Sequence, residues 1–168
     1  MELNADELEI ARRIDLLLFD CDGVLTDGRL YFSAEGEAMK AFHVRDGQGI
    51  VLWHEAGYRS GIISGRDSGG IVETRAKELG MDYVVTASED KINDLEKILS
   101  ETGIESRRVA YVGDDIGDIG LMGRVGLPVA VADAVDEAKA AARYITKMKG
   151  GEGAVREVID LLLSVKGS

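Results

Sequence analysis

The apolar run at residues 14–19, interrupted only by Asp15, stops abruptly in Asp20-Cys21-Asp22-Gly23. A short run rich in Leu and Ile that ends in charge is the pattern of a strand buried on both faces, as strands of parallel sheets are. Such a strand commits the chain to a sheet covered on both sides. It also sets two carboxylates at the strand's carboxyl end, where open α/β sheets bind their ligands. Two acids crowded at such a place are costly unless a cation or a reaction employs them.

Strand-like and helix-like segments alternate along the rest of the chain. Strands are expected at 58–63, 83–85, 109–112 and 129–131, and helices at 48–56, at 68–79 and from Asp90 or Lys91 onward. Val155, Val158, Ile159 and Leu162 form the apolar stripe of a last helix. Pro128 at the entrance of the 129–131 strand argues for an edge position. Segments 29–32 and 38–42 flank a polar loop at 33–37 and read as a β-hairpin. Gly150-Gly151-Glu152-Gly153 reads as a flexible link. The expected fold is α/β: one domain over 1–168, a three-layer, doubly wound, mostly parallel sheet. It carries a small hairpin insert at 29–42, a tail and helix at 150–168, and no cap domain.

Composition bounds the partners. The chain has 168 residues and a net charge of -11, the opposite of the basic face that nucleic-acid binders present. No apolar run approaches membrane-spanning length, so neither nucleic acid nor membrane is an expected partner. A single cysteine excludes an internal disulfide. With the acidic segment at 1–9, it points to a cytoplasmic protein.

Three expected strand ends carry polar groups: Asp20 with Asp22, Ser64, and Asp114 with Asp115. Lys91 opens a helix near them. In a doubly wound sheet these positions converge on one crevice. An oxygen-only ligand set suits Mg²⁺, not zinc, and Mg²⁺ with a lysine and a hydroxyl can hold a phosphate. Strand alternation turns Cys21 away from the acids, so it reads as a small buried hydrophobe. His43 and His54 are poorly spaced for a metal pair, and His54 beside Trp53 reads as structural.

Asp20-x-Asp22-Gly23-Val24-Leu25-Thr26, Ser64-Gly65-Arg66, Lys91 and Gly113-Asp114-Asp115-x-x-Asp118 resemble, in order, the four motifs of the haloacid dehalogenase-like phosphatases. The match spans nearly the whole chain. Asp27-Gly28, the stretch from Lys40 to Gly47 and the stretch from Gly150 to Glu157 are similar to the 3-deoxy-D-manno-octulosonate 8-phosphate phosphatases and to relatives acting on nonulosonate 9-phosphates.

The resemblance implies a Rossmann-like fold and a Mg²⁺-dependent phosphomonoesterase acting on a small acidic sugar phosphate. Asp20 is then the nucleophile. Asp22 is the general acid and later the base. The metal falls to the Asp20 carboxylate, the Asp22 carbonyl and Asp114. Ser64, the Gly65 N–H and Lys91 hold the phosphoryl oxygens. Asp115 and Asp118 support the metal's waters or orient Lys91. Arg66 and Arg156 are candidates for a sugar carboxylate, and His43 for substrate or interface contact.

Two positions depart from the family pattern: Thr86-Ala87 where Gln-Gly is common, and Gly117 where Asn is common. A nonulosonate 9-phosphate phosphatase, a promiscuous phosphatase, a phospho-accepting signalling module and a non-catalytic accessory domain are the competing readings. Asp22 separates the enzymes from a signalling receiver, which has no use for a general acid two residues past its phosphoacceptor.

Spacing alone gives one more expectation. The 43 residues between Asp20 and Ser64, and the 26 between Ser64 and Lys91, are filled by hairpin, helix and strand. Neither gap holds a lid domain. Phosphoryl transfer gains from exclusion of bulk water, so another subunit or a large substrate must cover the crevice. The resemblance implies a homotetramer with active sites at subunit interfaces, and the hairpin at 29–42 is expected to mediate its assembly.

Overall fold

Four residues, Leu16–Phe19, make the central strand β1, and all four are fully buried. A computed structural model describes residues 4–67 and 69–167. Its main sheet adds β4 (Arg59–Ile63), β5 (Tyr83–Val85), β6 (Val109–Gly113), β7 (Leu127–Ala130) and β8 (Tyr144–Ile145). The order is β5-β4-β1-β6-β7-β8, and every pairing is parallel. Strand order reverses beside β1: β4 and β5 lie on one side, β6 to β8 on the other. The doubly wound sheet expected from the sequence is therefore present, with its switch point at β1, where Asp20 emerges.

Helices cover both faces. α1 (Ala5–Arg12) and α2 (Val44–Glu55) both pack on α7 (Ala154–Lys166). α4 (Lys91–Thr102), α5 (Ile116–Met122) and α6 (Asp136–Ala141) form a second packed set. α3 (Ile71–Glu78) connects β4 to β5, so the helix expected at 68–79 starts later; its expected first residue, Ser68, lies outside the described residues. Among the described residues no helix is long and apolar enough to cross a membrane.

Three sequence expectations need correction. β7 is not an edge strand, because β8 pairs beyond it. Pro128 is tolerated because β8 pairs only with Val129 and Ala130, one residue further on. The hairpin is tighter than expected. β2 (Tyr31–Ser33) and β3 (Gly36–Met39) are joined by Ala34 and Glu35 alone, with a register shift between Tyr31 and Phe32.

The glycine tail is not a loose link. A Cβ at Gly150 would lie 1.7 Å from the Gly23 carbonyl oxygen. The Gly150 N–H donates to Asp133 Oδ1 (3.0 Å) and the Gly151 N–H to Val24 O (2.9 Å). Buried Asp46 accepts from the Arg156 N–H at 2.8 Å and so pins the first turn of α7 to α2. The tail is held against the loop that follows Asp20 at one end and against α2 at the other.

Candidate active site

The polar residues at the strand ends do converge. Asp20 follows β1, and its N–H donates to Val112 O of β6 (3.0 Å). Ser64 follows β4; its N–H donates to Val85 O (2.8 Å) and its carbonyl accepts from the Ser88 N–H (2.9 Å). Asp114 and Asp115 follow β6. Lys91 is the first residue of α4, which is capped by Asp90 accepting from the Ile92 and Asn93 N–H groups. A cleft of about 260 Å³ is lined by Asp20, Asp22, Ser64, Gly65, Arg66, Lys91, Asp114, Asp115, Gly117 and Asp118.

Lys91 organises its floor. Its Nζ lies 3.0 Å from Asp20 Oδ1, 2.8 Å from Asp118 Oδ1 and 3.3 Å from Tyr111 Oη. Asp118 is fully occupied. Its Oδ1 accepts from Lys91 and from the buried Tyr111 hydroxyl (2.6 Å), and its Oδ2 from the Asp114 and Asp115 N–H groups. It therefore orients Lys91 and is spent as a metal ligand. Asp115, exposed, caps α5 by accepting from the Ile116 N–H (2.7 Å).

Asp114 is the opposite case. Its Oδ1 is buried and accepts no hydrogen bond. Burial, then the charges of Asp20 and Asp118, push its carboxyl up to about 8. Burial and Asp118 likewise push Asp20 up to about 6, against the pull of Lys91. Carboxylate oxygens of Asp20, Asp114 and Asp118 lie within 4.8 Å of one another. An orphaned buried oxygen between repelling acids fits a hard divalent cation. Gly23, with φ +90°, makes the approach possible, since a Cβ there would lie 2.0 Å from Asp114 Oδ2.

A pH dependence follows. The folded chain holds protons at Asp20 and Asp114 that the unfolded chain releases at ordinary carboxylate pH, so the metal-free protein should lose stability as pH rises through about 8. Mg²⁺ should offset that loss, raising Tm more at about pH 8 than at about pH 5. Thermal unfolding with Mg²⁺ or a chelator checks this; an equal rise at both pH values contradicts it.

The other expected residues divide. Arg66 stands at the rim, its Nε 3.5 Å from Asp22 Oδ2. Cys21 is fully buried, and burial raises its thiol pKa. His43 and Arg156 do not line this cleft. His43 caps α2, its Nδ1 accepting from the Arg45 N–H (3.2 Å), and Arg156 pairs with Asp160 (2.7 Å) in a separate groove. His54 bonds Ser60 Oγ at 2.7 Å, a structural contact.

Comparison with known proteins settles the family. Residues 71–159 match the model of the haloacid dehalogenase-like hydrolases. The 3-deoxy-D-manno-octulosonate 8-phosphate phosphatase of Escherichia coli K12 is 43% identical over 165 residues, covering 98% of this chain and 87% of that protein. The chain belongs to the haloacid dehalogenase-like hydrolases. It is a phosphatase of that family, with Mg²⁺ as its metal.

Two solved structures share the fold of this haloacid dehalogenase-like chain throughout. One is the Moraxella catarrhalis 3-deoxy-D-manno-octulosonate 8-phosphate phosphatase in complex with magnesium, phosphate and KDO. Its TM-score is 0.93 at 36% identity, covering 98% of this chain and 94% of that one. The other is the Yersinia pestis phosphatase of the same name, with TM-score 0.93 at 41% identity, covering 97% and 88%.

Sequence reading gave no role to three polar residues that the structure ties to this haloacid dehalogenase-like site. Tyr111 lies inside the apolar β6 pattern, where an aromatic reads as core. Glu37 and Lys40 lie in the hairpin, whose remoteness along the chain hid their contact with Asp22. Ala87 carries a signal of another kind. Its φ of 52° makes it the one non-glycine residue with positive φ among the described residues, at the position where the family commonly has Gly.

Proposed function

We propose that this chain hydrolyses 3-deoxy-D-manno-octulosonate 8-phosphate, or a close sugar-acid phosphate, through an aspartyl phosphate formed on Asp20. What carries the reading is the meeting of Asp20, Lys91 and the orphaned Asp114 oxygen in one cleft. Relatives of that activity, alike over nearly the full length, support it.

Asp20 attacks phosphorus, and Asp22 protonates the departing sugar alkoxide. Asp22 then takes a proton from the water that attacks the aspartyl phosphate and frees Asp20. Ser64, the Gly65 N–H and Lys91 hold the phosphoryl oxygens, and Asp118 keeps Lys91 aimed. The Asp20 and Asp114 carboxylates and the Asp22 carbonyl would hold Mg²⁺, which would supply charge neutralisation between the attacking carboxylate and the phosphate. Arg66, at the rim, meets the sugar's carboxylate in this reading, its planar guanidinium suiting bidentate carboxylate recognition.

The assembly is a homotetramer closed over its clefts. The hairpin and its flank expose Leu30 (43%), Tyr31 (36%), Phe32 (63%) and Met39 (53%), an apolar ribbon of the kind that marks an interface. His43 and Arg156 do not line their own cleft; in the assembly His43 would contact a neighbouring subunit or its substrate, and Arg156 the carboxylate of the sugar in a neighbour's cleft. The lone, reduced Cys21 fits the cytoplasm.

The test is phosphate release from a panel of sugar phosphates, with and without Mg²⁺, alongside light scattering. Fast Mg²⁺-dependent release from the octulosonate 8-phosphate by a tetramer is the expected result. Preference for a nonulosonate 9-phosphate reassigns the substrate, and a fully active monomer removes the tetramer.

A further inference from the structure

Lys40 belongs to the hairpin, and it does not line the cleft. Its side chain is nevertheless 1% exposed, on a two-stranded ribbon whose neighbours Phe32 and Met39 stand in solvent. A buried lysine is rare unless its charge is matched. Here it is matched twice. Lys40 Nζ bonds Asp22 Oδ1 and lies 2.7 Å from Glu37 Oε1. Arg66 closes the ring, with Nε 3.5 Å from Asp22 Oδ2 and a terminal nitrogen 3.4 Å from Glu37 Oε2. Once Asp22 has given up its proton, two cations face two carboxylates and the cluster is neutral. Burial pulls the Lys40 pKa down, but Asp22 and Glu37 outweigh it and hold the ammonium above the ordinary lysine range, so it stays charged.

The cluster treats the two oxygens of Asp22 differently. Oδ1 is held by Lys40, whereas Oδ2 is buried and accepts no hydrogen bond. We propose that Lys40, braced by Glu37, is the positioning residue for Asp22: it fixes Oδ1 and so leaves Oδ2 as the oxygen that exchanges protons. This rests on the assignment of Asp22 as acid and base made above. The proton on Oδ2 passes to the bridging oxygen as the P–O bond to the sugar breaks. Oδ2, now a carboxylate oxygen, takes a proton back from the attacking water. Lys40 never touches substrate. It makes the hairpin part of the catalytic machinery by electrostatics, so whatever seats the hairpin also seats the acid.

Leaving groups discriminate this from a merely structural role. A sugar alkoxide cannot depart without a proton; nitrophenolate can. The measurement is kcat/KM, which reports steps up to the first bond cleavage, for the best sugar phosphate of the panel and for p-nitrophenyl phosphate. Lys40→Met should lower it about a hundredfold on the sugar phosphate and less than about fivefold on the aryl ester, the selectivity that Asp22→Asn should also show. Glu37→Gln leaves the Lys40–Asp22 contact in place but removes its brace and weakens the Glu37–Arg66 pair, so it should show the same selectivity in weaker form in kcat, whereas a loosened Arg66 shows in KM. It carries the test if Lys40→Met does not fold. Equal losses on both substrates in the folded variants overturn the positioning role while leaving the phosphatase reading intact. A wild type that hydrolyses neither substrate overturns that reading, and the inference with it.

Discussion

Asp20→Asn should lower kcat on the preferred sugar phosphate roughly a thousandfold or more, as removal of a nucleophile commonly does. The fold should survive. Asn keeps an oxygen that can accept from the Cys21 N–H (2.7 Å), and Lys91 keeps its ion pair with Asp118. Removing a carboxylate whose pKa is pushed up to about 6 also relieves repulsion among the acids. The metal-free variant should therefore be at least as stable as wild type above about pH 6, with weaker stabilisation by Mg²⁺. Steady-state phosphate release, paired with thermal unfolding, reads both effects. Comparable rates in variant and wild type would remove Asp20 from the reaction. A collapsed fold would show that its charge is structural.

The strand-end acids were legible because burial and chemistry agree there. A strand with four fully buried residues cannot end in two carboxylates by accident of solvation, and its place in the sheet follows from alternation with helices. Lys91 was legible only through its order among the motifs. Alone it is a helix-opening lysine; what makes it a site residue is Asp118, one helix and one strand away.

The elements that escaped had too little pattern. β8 is two residues long, and α1 and α6 bury one residue each by their own turns. Lys40 and Glu37 escaped because an exposed ribbon shows no buried face from which a buried ion pair could be inferred. The glycine tail misled for a different reason. Gly is read as freedom because of its backbone entropy, but it is equally the residue that lets two backbones touch.

That contact carries the second large effect. Gly150→Ala would set a Cβ 1.7 Å from the Gly23 carbonyl oxygen, 2.5 Å from its carbon and 3.2 Å from Thr26 O. All three are backbone atoms, so no side-chain rotation relieves the clash. Gly23 cannot retreat toward the cleft, because Asp114 Oδ2 already occupies the space its own Cβ would need. The tail cannot easily lift, held by Asp133 and Val24 on one side and by the Asp46 cap of α7 on the other. Overpacking of this kind costs about 1–3 kcal/mol. A shift of about 1 Å in the loop bearing Asp20 and Asp22 should cost about a hundredfold in kcat. Both should appear together, although residue 150 touches no substrate: a lower denaturation midpoint in urea and a fall in kcat larger than any change in KM. A stable, fully active Gly150→Ala protein would mean that the tail yields instead, and that the loop after Asp20 keeps its shape without it.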